Sequence, residues 1–270
     1  MPETTVAIAG LGAIGLRVAG ALDAGAVPGL RLVAVSARDR AGAAEKLRDF
    51  RAPPEIVGLG DLAGLAEVVV ECAPAAVFAE VAGPAIEQGR LLMPLSVAAL
   101  IERMDLVERA HATGARIVVP TGALIGLDTV RAMAEGEIGR VVLETRKPPT
   151  GLAGAPYLVE NDIDITGLTE PKQVFHGTAR EAARGFPANV NVAAALALAG
   201  IGPERTEVTI WADPWVNRNV QTVTIESDAG EATMTMRNVP SAGNPKTGRI
   251  VAQSVLATLR RLTAPLVVGS

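Results

Sequence analysis

The sequence has 270 residues, which at about 150 residues per domain allows one large domain or two modest ones, with 49% hydrophobic and 20% charged residues to build a core. Its 25 Lys plus Arg against 29 Asp plus Glu leave a net charge of -4, so there is no basic excess to hold a phosphate backbone and a nucleic-acid partner is not expected. One cysteine, Cys72, and two histidines, His111 and His176, are too few for a disulfide framework or a Cys/His zinc site, and no metal is expected.

In chain order, residues 5–9 (TVAIA) predict a strand, 16–22 a helix, 31–36 (RLVAVS) a strand and 41–49 a helix. A weak strand at 55–57, a strand at 68–72, a helix at 77–88, a strand at 91–95, one helix over 97–113 and a strand at 116–119 follow. These strands are continuous apolar runs, as parallel strands covered on both faces require, so the expected class is α/β with a doubly wound parallel sheet. Past Pro120 the rhythm changes, which predicts a domain boundary there. A helix is expected from Leu127, a strand over 141–146, a loop or sheet rim over 150–171, and helices over 179–184 and 190–200. Residues 207–212, 220–226 and 231–238 alternate with period two, as half-buried antiparallel strands do, and the last two predict a hairpin through Ser227-Asp228-Ala229-Gly230. Asn244-Pro245 reads as an N-cap and first helical proline of a final helix with Val255, Leu259 and Leu262 on one face.

Residues 1–5 lack the basic and then apolar pattern of a secretory leader, and the most apolar stretch, 192–201, is too short to cross about 30 Å of hydrocarbon. The expectation is a cytoplasmic protein without a membrane partner.

Gly10-Leu11-Gly12-Ala13-Ile14-Gly15 directly follows the first strand and opens the first helix. The first glycine permits the tight turn, the second lets backbone approach a pyrophosphate, and the third allows close helix–strand packing; the pyrophosphate then meets the free N–H groups of Ala13 and Ile14. In this context the motif predicts a dinucleotide cofactor. About 20 residues on, where an acidic residue commonly holds the ribose 2′-hydroxyl, stand Ser36, Ala37, Arg38, Asp39 and Arg40. A hydroxyl and two guanidinium groups suit a 2′-phosphate, so NADP is slightly favoured, with NAD open; the alternative has Arg38 and Arg40 solvated and Asp39 turned to the ribose. Cys72 and Ala73, at the end of the fourth strand, lie where such sheets place ligands, although Cys72 also reads as a small buried apolar residue.

Later motifs carry a resemblance over essentially the whole chain. In order they are residues 95–100 (LSVAAL), 119–128 (VPTGALIGLD), 145–149 (TRKPP), 186–193 (FPANVNVA), 212–214 (ADP) and 244–247 (NPKT). Together they resemble the L-aspartate dehydrogenase family. The resemblance implies a dinucleotide-binding domain over 1–120, an α/β substrate domain with a mostly antiparallel sheet over 121–243, and a helix within 244–270 that packs back on the first domain. It further implies reversible oxidation of L-aspartate to iminoaspartate with NAD or NADP, a small anionic amino or imino acid as partner, and a homodimer. Carried over by position, Gly10, Gly12 and Gly15 form the pyrophosphate turn, while Ala123, Asn189 and Asn191 lie against the nicotinamide end of the cofactor; for both Asn residues helix capping is the alternative.

The sequence departs from the family at one position. After Ala-Asp-Pro the family continues to Asn, one residue, and a catalytic histidine, whereas this chain reads Asn219-Val220-Gln221. Gln221 can hydrogen-bond a carboxylate or imine but cannot shuttle a proton near neutral pH. The groups considered in its place are His176, Lys147 with its neighbour Arg146 as dicarboxylate ligands, and, least favoured, His111. The leading expectation is thus an NAD(P)-dependent dehydrogenase acting on L-aspartate or a close analogue. The alternatives are a reductase of another small imine, ketone or aldehyde, and a cofactor-binding sensor or scaffold with little catalysis.

Overall fold

A computed structural model of the chain describes residues 3–187, 190–241 and 244–269. It divides into two compact units, Met1–Pro120 with Val251–Val267, and Thr121–Ile250 with Val268–Ser270.

The first unit is built on β1 (Thr4–Ala9), β2 (Leu30–Ser36), β3 (Glu55–Ile56), β4 (Val68–Glu71), β5 (Leu91–Pro94) and β6 (Arg116–Ile117), which form one sheet in the order β3-β2-β1-β4-β5-β6 with every pairing parallel. The helices between them are α1 (Ala13–Asp23), α2 (Arg40–Leu47), α3 (Leu62–Leu65), α4 (Phe78–Glu87), α5 (Val97–Ile101) and α6 (Asp105–Thr113). Val6, Ala7, Ile8 and Ala9 are all fully buried, which explains why β1 reads as an unbroken apolar run. Strand order reverses at β1, so the ends of β1, β2 and β4 open the crevice where doubly wound sheets bind ligands.

The single helix expected over 97–113 is two. Val97 and Ile101 are buried on α5, and Leu106 and Ala110 on α6. In one straight helix Leu106 would stand about 180° from Val97, at roughly 100° per residue, so the two buried faces could not point into one core. The break at 102–104 removes the conflict, and Arg103 pairs with Asp105 across it at 2.9 Å. The four-residue α3 was not expected from the sequence.

The second unit comprises α7 (Leu127–Met133), β7 (Ile138–Lys147), α8 (Pro156–Glu160), β8 (Lys172–Thr178), α9 (Ala179–Gly185), α10 (Asn191–Ala199), β9 (Thr206–Ala212), β10 (Val220–Ser227) and β11 (Gly230–Arg237). Its five-stranded sheet runs β11-β10-β7-β9-β8; β7 and β9 are parallel and the other pairings antiparallel. Alternate residues are buried, Val141, Leu143 and Thr145 on β7, Val208 and Ile210 on β9, Val223 and Ile225 on β10, so one face is a core face. The hairpin turn at Ser227–Gly230 forms as expected, with Ser227 paired to Gly230. The segment 150–171 is largely the expected loop, interrupted by the short α8, whose Tyr157 ring meets Phe175 edge-on at 5.1 Å.

Asn244-Pro245 is not a helix start. Asn244–Gly248 forms β13, antiparallel to β12 (Pro240–Ser241), and the last helix, α11 (Ile250–Arg261), begins beyond it. Both strands of a two-stranded ribbon are edges, where proline's missing N–H is tolerated. The helix contributes Ala252, Val255 and Leu259 to the core of the first unit, packed with Val6, Ile8, Val18 and Leu22.

Candidate functional site

In the first unit the glycine turn has three different local environments. Gly10 has φ +94°, and a Cβ on it would lie 2.7 Å from the carbonyl oxygen of Cys72. A Cβ on Gly15 would lie 1.9 Å from the Gly10 carbonyl oxygen. Those two positions admit only glycine. Around a Cβ on Gly12 nothing lies within 4 Å, and α1 has no side-chain cap, so the backbone N–H groups of exposed Ala13 and of Ile14 meet no side chain. This open, uncapped helix start fits a pyrophosphate. The turn is anchored by the Gly10 N–H donating to the Ser36 carbonyl at 2.7 Å and the Cys72 N–H donating to the Ala9 carbonyl at 2.8 Å.

At the end of β2, Ser36 is buried and Arg38 is exposed with no ion pair among the described residues. Asp39 does not turn to a ribose position; its carboxylate accepts from the Gly42 N–H at 2.9 Å and caps α2. The Arg40 guanidinium donates to the Ile56 carbonyl on β3, so of the two guanidinium groups Arg38 is the one without a partner among the described residues. Cys72 is partly buried against the core; burial, with Glu71 beside it, pushes its thiol pKa far up, which leaves it a neutral packing group next to Ala73.

In the second unit, one end of the sheet's core face turns polar. Thr145, Lys147 and Gln221 are each at most 3% exposed, and Asn238, just past β11, is 2% exposed. Gln221 pairs across the ladder with Thr145, and Lys147 stands two residues on, so all three side chains leave the same face. The Asn238 Nδ2 donates to Gln221 Oε1 at 2.5 Å and to the Ala123 carbonyl at 3.0 Å. Among the described residues, Thr145 Oγ1 and Asn238 Oδ1 are buried without a hydrogen-bond partner. Unpaired polar atoms are costly in a sealed core and expected where a polar ligand belongs.

The other sequence candidates are not brought to this cluster. His176 is exposed on the opposite face of the sheet, where its Nδ1 meets Thr209 Oγ1 at 3.1 Å, and His111 is exposed on α6. Arg146 does not join Lys147 as a dicarboxylate ligand: strand alternation turns it to the outer face, where it pairs with Glu144 and with Asp213 and stacks 4.8 Å over Trp211. Asn191 opens α10 as its first residue; Val190, not Asn191, stands at the cap, and Asn189 lies outside the described residues. Sequence reasoning missed Asn238, read as the end of a strand, and Glu71, a carboxylate inside the apolar run VVVEC whose isolation was a usable signal.

Two family models match the chain. Residues 10–120 match the homoserine dehydrogenase NAD-binding domain family, and residues 128–262 match the aspartate dehydrogenase C-terminal family. The chain is 52% identical over 268 residues to an L-aspartate dehydrogenase of Bradyrhizobium diazoefficiens, covering 99% of this chain and 95% of that one.

The chain belongs to the L-aspartate dehydrogenase family.

Another member, L-aspartate dehydrogenase 3 of Bordetella bronchiseptica, is 51% identical over 99% of this chain and 98% of its own. The crystal structure of the Thermotoga maritima aspartate dehydrogenase superposes with a TM-score of 0.75 at 25% identity, covering 99% of this chain and 100% of that one. Membership makes the protein a nicotinamide-dependent oxidoreductase of the CH–NH2 class. No helix among the described residues is long and apolar enough to cross a membrane.

Proposed function

We propose that this protein catalyses the reversible NAD(P)-dependent oxidation of L-aspartate to iminoaspartate. The observation that carries the reading is the buried polar end of the second sheet, Lys147, Thr145, Gln221 and Asn238, in a family member with an intact cofactor turn. The cofactor, when bound, would supply the hydride acceptor: the substrate Cα–H bond breaks with its electron pair, the C=N bond forms, and the amine nitrogen releases its proton to water. The Lys147 ammonium suits a substrate carboxylate, and its place in a buried face gives that charge pair strength it lacks in water. Thr145 Oγ1 is a ready partner for a further polar substrate atom. Gln221 binds and orients rather than moving the proton, because a carboxamide does not titrate between pH 5 and 8.

The guanidinium of Arg38, exposed and without an ion pair among the described residues, supports NADP as the preferred cofactor, held by a bidentate contact to the 2′-phosphate. A homodimer acting in the cytoplasm is part of the proposal, checked by light scattering of the purified protein and by cell fractionation.

The test is to follow NADH and NADPH oxidation with oxaloacetate plus ammonia, beside a panel of other carbonyls with and without amine. Turnover with oxaloacetate and ammonia is expected; turnover with another carbonyl alone would replace the substrate and favour the reductase reading that Gln221 makes the nearest alternative. Binding of cofactor with turnover of none would favour the sensor reading. Gln221→His should raise aspartate oxidation and add a titration between pH 5 and 8, general acid–base help being worth about 10²–10⁴-fold.

A further inference from the structure

Three polar groups far apart in sequence form a chain of fixed polarity in the second unit. The Ala123 carbonyl oxygen can only accept a hydrogen bond, so the Asn238 atom 3.0 Å from it must be the amide nitrogen. That same nitrogen lies 2.5 Å from the Gln221 side chain, so the Gln221 atom facing it must be the oxygen, Oε1. Rotating either amide by half a turn would bring two acceptors, or two donors, into contact. Asn238 holds this orientation although it leaves its own Oδ1 buried without a partner. The remaining polar atom of Gln221, Nε2, has two N–H donors and no acceptor among the described residues.

We infer that Asn238 is a positioning residue, which locks Gln221 with its N–H groups outward as a donor to a substrate oxygen. The inference rests on the proposed substrate site and adds a selectivity rule to it: the atom facing Gln221 is a carboxylate or carbonyl oxygen, not a protonated amine. A freely rotating glutamine would accept either. The polarity is set at Ala123, 115 residues from Asn238 along the chain, so the loop that carries the motif Thr121-Gly122-Ala123 acts on the substrate through two amides.

The experiment is a double-mutant cycle on kcat/KM for aspartate with Gln221→Ala, Asn238→Ala and the double variant. Gln221→Ala and Asn238→Ala should each lower kcat/KM by roughly 10- to 100-fold, and the double variant should be no worse than Gln221→Ala, because Asn238 acts only through Gln221. Additive losses would overturn the positioning role while leaving the substrate site intact. An unchanged kcat/KM in Gln221→Ala would overturn the substrate site itself and the inference with it. Asn238→Asp keeps the shape and reverses the polarity, so it covers the case in which Asn238→Ala does not fold: a loss at least as large as that of Gln221→Ala is expected, and wild-type kcat/KM would refute the lock. Independently of turnover, the side-chain amide 15N resonance of Gln221 should shift in Asn238→Asp; an unchanged resonance also counts against the lock.

Discussion

The carboxylate of Glu71, fully buried at the end of β4, accepts from both the backbone N–H of Ser96 at 2.9 Å and the Ser96 hydroxyl at 3.1 Å. The Leu95 N–H adds a third bond at 3.2 Å, so one side chain ties the loop after β5 to the end of β4. Burial raises the Glu71 pKa above the ordinary 4.5, and the hydrogen bonds pull it back only in part. A carboxyl with a raised folded pKa holds its proton more tightly folded than unfolded, so stability from this group falls as pH rises from 4.5 through the folded pKa. Glu71→Gln, with one acceptor oxygen for three donors, should cost about 1–3 kcal/mol. The deficit relative to wild type should shrink as pH rises across that window. Thermal unfolding of both proteins between pH 4 and 8 checks the sign; a widening deficit would refute it.

Gly12 and Gly15 separate binding from folding. A methyl at Gly12 meets no protein atom but occupies the space where a pyrophosphate approaches, so Gly12→Ala should keep its Tm and weaken cofactor binding by roughly tenfold or more. Gly15→Ala places its methyl against the Gly10 carbonyl and should cost about 1–3 kcal/mol or more before any ligand is added. Calorimetric unfolding beside cofactor titration reads both; equal behaviour of the two variants would contradict the assignment.

Arg38→Ala should weaken NADPH binding by roughly 10- to 100-fold, the loss expected for hydrogen bonds to a charged phosphate. NADH affinity should change by less than about twofold, because NADH lacks that phosphate. Fluorescence titration with the two cofactors decides it, and an equal loss for both would remove Arg38 from the 2′ site.

Lys147→Met should raise the KM for aspartate by roughly 10- to 100-fold through loss of the charge facing its carboxylate. Lys147→Arg should not restore it, since a larger planar group does not fit a side-chain site that is 3% exposed. His176→Ala, on the outer face, should leave kcat/KM within about twofold. Steady-state kinetics on the three variants test the face assignment, and a large loss in His176→Ala would reverse it.

Both sheets were legible because their signals are local. Residues 6–9 and 68–71 are buried on both sides and read as apolar runs; residues 207–212 and 220–226 are buried on one side and alternate. The break in the 97–113 helix was illegible because it depends on which way the core lies, and propensity alone favours continuing. The strand at Asn244–Gly248 was illegible because an Asn-Pro pair caps helices and also fits an edge strand, and only the pairing with Pro240–Ser241 chooses. In the site, the glycine turn was readable residue by residue. Asn238 was not, because its partners lie 17 and 115 residues away.

The sequence by itself determined the two kinds of sheet, the Gly10-Leu11-Gly12-Ala13-Ile14-Gly15 turn between β1 and α1, and the presence of only two histidines, since each is written in residue identity and the spacing of near neighbours. Only the tertiary structure decided which polar groups share a face: Lys147 with Thr145 and Gln221, Arg146 and His176 on the other side, and Asn238 with Ala123 behind Gln221. Strand register and long-range hydrogen bonds set those relationships, and a one-residue change of phase, invisible in composition, moves a side chain from the buried face to solvent.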